Sequence, residues 1–216
     1  MKKVSFLFFL ILFTAAFAQK SYEFDFAVKY SVKNESDGEI SESVSYFNSD
    51  NPNYYLKLFS VGNGMMKCRL YDRLTGKVHQ FKVTETKQGK EIISSFEYIF
   101  TVRNFVNIKP PKNTRFEFSE LNSNRTKLSI FTRKNQKKPE HTYDLTLKPA
   151  NKDLFFLSRM VFMHPYNFTD ALNFPGNYIV EKAVYRKGKV ECKFELKEYK
   201  NVYLEIRLPE KLKSPD

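Results

Sequence analysis

Tyr22-Glu23-Phe24-Asp25-Phe26-Ala27-Val28-Lys29-Tyr30-Ser31-Val32-Lys33 decides the fold class of this chain. Every even position is aromatic or β-branched, and the odd ones are mostly polar. A period of two sends successive side chains to opposite faces, so the segment predicts a β-strand with one buried and one wet face. Asn34-Glu35-Ser36-Asp37-Gly38 supplies turn residues, and Ile40 to Phe47 resumes the extended pattern. The two segments are a predicted β-hairpin.

The same style continues outward. Tyr54 to Val61, Met65 to Asp72, Lys77 to Thr86 and Glu91 to Val102 read as strands, separated by turn residues including Gly62-Asn63-Gly64, Thr75-Gly76 and Gly89. Glu91 to Val102 is ambiguous by periodicity, and its Ile, Phe, Tyr and Val content tips it to strand. Beyond Lys109-Pro110-Pro111-Lys112, strands are expected at Arg115 to Glu120, Lys127 to Arg133, Thr142 to Lys148 and Tyr178 to Arg186. Two more follow, Val190 to Tyr199 and Val202 to Leu208. Asp153 to His164 reads as a helix or a fully buried strand, and Phe168 to Phe174 as room for a helical turn. Such dense short strands predict an all-β (β-rich) antiparallel barrel, half-barrel or sandwich. The expectation is a barrel or half-barrel of about ten strands with one or two short helices. Pro110-Pro111 is the plausible domain boundary, but strand density is equal on both sides, so residues 19–216 read as a single β-rich domain.

Met1-Lys2-Lys3, the apolar run from Val4 to Phe13 and the small-x-small site Ala16-Phe17-Ala18 have the layout of a signal peptide over residues 1–18. The run is short for a span, which wants about 20 apolar residues. The expected location is periplasmic or secreted. Loss of Lys2 and Lys3 leaves 34 basic against 24 acidic residues, a net +10. That charge suits anionic headgroups, acidic glycans or plain solubility, and the compartment argues against nucleic acid as the target. The densest basic cluster, Arg133 to Lys138, lies between two predicted strands and reads as a solvated hairpin tip. Cys68 and Cys192, 124 positions apart, are either a possible disulfide closing a long loop or two buried free thiols.

Motifs for chemistry are sparse. His79, His141 and His164 form no short-spaced ligand pair, so they read as ordinary surface or half-buried residues and no metal is expected. There is no Gly-x-Ser-x-Gly elbow and no phosphate-cradling glycine loop. Asp72, Glu97, Asp144 and Glu195 read as outward strand charges. No catalytic residue and no cofactor is expected.

Aromatic residues remain: 22 Phe and 13 Tyr with no Trp. They either fill a core or line a concave apolar face that holds an acyl chain. Phe24, Phe26, Tyr30, Tyr46, Tyr54 and Phe81 are the candidate ligand-lining residues.

The segments Gly176 to Lys182, Tyr185 to Lys189, Phe194-Glu195-Leu196 and Leu204 to Pro209 carry a resemblance. They resemble small exported β-rich proteins of Bacteroidetes-type bacteria, whose layout is similar to the periplasmic lipoprotein-carrier (LolA/LolB-like) half-barrels. The resemblance implies a curved antiparallel sheet closed by short helices, with an apolar concave face and Asp153 to Phe174 as a lid. The functional expectation is an exported non-enzymatic binding protein for a lipid or lipidated partner. The alternative is a structural or interaction module of the cell envelope with a filled β core.

Overall fold

Extended alternation becomes one eleven-stranded antiparallel sheet in the computed structural model, which describes residues 20–36, 38–60, 66–89, 91–103, 112–163 and 172–215. Strands β1 (Ser21–Asn34), β2 (Ile40–Phe47), β3 (Tyr54–Ser60), β4 (Met66–Asp72), β5 (Lys77–Gln88) and β6 (Glu91–Arg103) form the first half. The second half is β7 (Arg115–Phe118), β8 (Arg125–Phe131), β9 (His141–Pro149), β10 (Tyr178–Lys187) and β11 (Val190–Arg207), with helix α1 (Phe155–Val161) between β9 and β10. The order is β6-β5-β4-β3-β2-β1-β11-β10-β9-β8-β7, so the first and last strands pair at the centre. Strands from both sides of Pro110-Pro111 therefore share one sheet, while the prolines themselves lie outside the described residues. Met65, Gly62 to Gly64 and the start of the Phe168 to Phe174 segment also lie outside them.

Two expectations are corrected. Val190 to Tyr199 and Val202 to Leu208 are one eighteen-residue strand, β11. No Gly or Pro interrupts Lys200-Asn201, and slips of register against β1 absorb the irregularity that read as a break. The second correction concerns β1 itself, which is not buried on one face alone. Its register slips between Phe24 and Phe26. Tyr22 and Phe24 pack with Leu56, Leu70, Phe81 and Ile206, whereas Phe26, Val28 and Tyr30 pack with Phe47, Tyr55 and α1. The even positions are thus divided between opposite faces, and Ala27 joins the buried set.

Helix α1 settles the ambiguity in Asp153 to His164. All seven of its residues are buried, so it shows no amphipathic period to read. Leu157 and Met160 rest on the sheet face carrying Phe26, Phe47 and Tyr55, where Tyr55 stacks on Tyr71 with centroids 4.6 Å apart. Phe155 joins the neighbouring cluster of Leu128, Tyr143, Leu145 and Val180 on β8 to β10. Asp153 Oδ1 accepts the Phe155 N–H at 2.9 Å, and the half-buried Lys57 ammonium donates to the Val161 carbonyl at 3.3 Å. These bonds satisfy end groups that a short helix leaves open.

Candidate functional site

On the other face, β11 and β1 to β6 curl around a groove of about 320 Å³. Both ends of that seven-strand run line it: Glu198 and Lys200 from β11, and Ser94 from β6. Six inter-strand steps of about 4.8 Å would hold those strands about 29 Å apart in a flat sheet, so this half is strongly curved. The sheet is not closed by strand pairing, and the shape is that of a half-barrel. A clasp completes the curl at one end, where Thr101 N–H on β6 donates to the carbonyl of Lys213, beyond β11, at 2.8 Å.

Alternation along each strand places the lining. The register slip in β1 brings Ala27 and Lys29 into the groove, where they stand beside Tyr46 and Val44 of β2. Leu58 of β3 and Met66 of β4 extend the apolar floor. Charged residues stand around it: Lys29, Glu85, Glu198 and Lys200. Lys29 pairs with Glu42 at 2.7 Å, and Lys200 with Glu198 at 3.0 Å. Burial raises the Tyr46 phenol above its ordinary range, opposed by Lys200 and reinforced by Glu85 and Glu198. Those three charges thus act on one phenol.

The far end of the curl is solid. Phe24, Leu56, Leu70, Phe81 and Ile206 interlock there, with Tyr54 set edge-on to Phe24 and Tyr22. Of the six aromatics expected to line a ligand site, Tyr46 alone lines the groove. Phe24, Tyr54 and Phe81 belong to the packed end of the same face, and Phe26 and Tyr30 face α1. Tyr30 is fully buried and donates to the Val180 carbonyl at 2.5 Å. The residues that sequence reading missed are the aliphatic ones, Ala27, Val44, Leu58 and Met66. Their signal was present in the alternation of β2 and β3, but only the slip in β1 tells which face is hollow.

Helix α1 is not a lid over this groove, because it packs on the opposite face of β1 to β5. Cys68 and Cys192 are not joined in a disulfide. β4 and β11 are separated by β3, β2 and β1, and Cys68 sits inside the packed end of the curl while Cys192 lies beside Asn34 at a hairpin tip. A disulfide needs Cα atoms within about 7 Å. Burial pushes the Cys68 thiol up to about 12, which keeps it protonated and inert.

Buried polar groups gather at the clasped end of the curl. Asp72, read from sequence as an outward charge, is instead buried and accepts hydrogen bonds from Lys20 at 2.6 Å and Tyr22 at 2.7 Å. Burial alone would raise its pKa, but Lys20, Tyr22 and Thr75 outweigh that and hold it down at about 2. His79 is also fully buried rather than surface-lying, with Nδ1 bonded to Thr101 Oγ1 at 2.8 Å and Nε2 without a partner. Burial lowers its pKa to about 4, so it is neutral at pH 7. Among the described residues no three His, Cys, Asp or Glu converge in a way that would hold a metal ion. His164 lies outside them.

Comparison with known proteins finds no family model that matches the chain and no matching curated protein.

Proposed function

We propose that this is an exported, non-enzymatic binding protein whose groove receives the apolar chain of a lipid or lipidated partner. The observation that carries the reading is the unfilled half of the curl. Its interior is packed with aromatics at one end, yet between Ala27, Val44, Tyr46, Leu58 and Met66 it stays open and mostly apolar. A volume of about 320 Å³ falls at the lower end of the scale of ligand sites, which suits one chain. Protein interiors are otherwise close-packed, so an apolar hollow calls for an occupant. The leader-like residues 1–18 and the resemblance to periplasmic carriers support a location in the periplasm or outside the cell, where such a cargo needs shielding from water.

The test is native mass spectrometry of the mature protein exported to a bacterial periplasm and purified without detergent. Lipid-sized mass should co-purify. Met66→Glu, at a half-buried position on the floor, should lower occupancy at least about tenfold, since it sets a charge against the chain. Tyr46→Ala widens the site without adding charge and should shift the size of the bound species instead. Circular dichroism confirms that both variants fold. A clean unliganded mass, with no uptake of added fluorescent fatty acid, would overturn the reading and favour the filled-core interaction module.

A further inference from the structure

Resting on that reading, we infer that the groove selects an amphiphile with a zwitterionic, primary-amine-bearing head, the chemistry of a phosphoethanolamine lipid, over an anionic one. The chain as a whole is strongly basic, at a formal +12 with its leader-like segment, which alone would favour anionic headgroups. The groove does not share that bias. Its charged lining is two ammonium groups, Lys29 and Lys200, and two carboxylates, Glu85 and Glu198. Lys29 is already bound by Glu42 and Lys200 by Glu198. Glu85, exposed on β5, has no ion-pair partner among the described residues. Among the described residues the one unmatched charge at the groove is therefore negative.

A head entering here meets Glu85 as an acceptor for an ammonium. In the same groove the Tyr46 hydroxyl, and the N–H groups that Lys200 does not give to Glu198, are donors for a phosphate oxygen. Glu85 on β5, Tyr46 on β2 and Lys200 on β11 line one groove, so one head carrying both charges reaches them. A phosphate with no cation leaves Glu85 facing like charge. Among the described residues Tyr46 is the one aromatic ring in the lining, too little for the aromatic cage that a quaternary ammonium prefers. That favours a primary amine, whose three N–H groups donate to a carboxylate.

The experiment titrates the purified protein with lysophosphatidylethanolamine and lysophosphatidylglycerol of equal chain length, below micelle formation, and reads bound mass for each. Wild type should favour the ethanolamine head by up to about fivefold, what one exposed ion pair is worth at most. The preference should shrink in high salt. Glu85→Gln should abolish it and Glu85→Lys should reverse it. Equal binding or a preference for phosphatidylglycerol in wild type would overturn the headgroup inference. So would a ratio that Glu85→Lys leaves unchanged. Binding of neither lipid is a separate result, which removes the groove reading itself.

Discussion

A single buried histidine sets how this protein answers acid. His79 is neutral in the fold, with its pKa lowered to about 4 by burial, against about 6.5 in an unfolded chain. Its facing charges, Asp72, Lys20 and Lys77, only partly offset one another. Below pH 6.5 the unfolded chain takes up a proton that the folded one refuses, so stability falls as pH drops from about 6.5 to 4 and then levels. The loss is at most about 3 kcal/mol. Asp72 adds a second step with the opposite chemistry and the same direction. Its carboxylate, held at about 2, stabilises the fold above about 3.8 and loses that contribution as pH falls toward 2. Urea denaturation at pH 7, 5.5 and 4.5 checks this, and His79→Asn should flatten the first step while keeping a bond to Thr101. Constant stability from pH 7 to 4.5 in the wild type would contradict the account.

At the scale of elements, the turn before β10 is tightly constrained. Gly176 has φ +104°, and a Cβ there would lie 2.7 Å from the Tyr178 ring, which itself packs edge-on to Phe174. Gly188, in the β10–β11 turn at φ +57°, has open space around it. Gly176→Ala should therefore destabilise by about 2–3 kcal/mol and Gly188→Ala by about 1 kcal/mol. Matched denaturation midpoints for the two variants would refute the steric difference. The same scale shows what sequence can and cannot disclose. β2 runs over the predicted residues, Ile40 to Phe47, and its burial alternates with a period of two from Ser43 to Phe47. β1 keeps the period in sequence but not in space, since its slip at Asp25 reassigns Phe26, Val28 and Tyr30 to the helix face. No pattern within β1 announces that slip. It shows only in the pairing with β11, where Phe24 meets Leu204 but Phe26 meets Asn201, and that pairing joins opposite ends of the chain. That is also why Ala27 and Lys29 were not legible as groove residues. α1 was equally opaque, because a helix buried on every side carries no amphipathic signature.

The whole molecule depends on how an open sheet holds a curl. Strand pairing ends at β6, and the segment after β11 reaches back to it: Thr101 N–H donates to the Lys213 carbonyl, and Lys213 N–H donates to the Tyr98 hydroxyl at 3.1 Å. Tyr98 in turn bonds Thr101 Oγ1 at 2.7 Å, the same oxygen that meets His79. The clasp thus links the edge strand, the tail and the buried histidine into one connected set at the solid end of the curl. Removing residues 210–216 deletes the tail's part of that set and keeps every strand. The expected loss is about 1–3 kcal/mol, from two or three hydrogen bonds near the surface. Its location matters more than its size. Amide exchange should rise on β6, most at Thr101, and stay unchanged on β8 and β9, which the tail never touches. On the proposed function, the truncated protein should also take up added lysolipid less well although no groove residue has changed. Unaltered exchange on β6 would mean that the seven strands hold their curvature through the Phe24, Leu56, Phe81 and Ile206 packing alone.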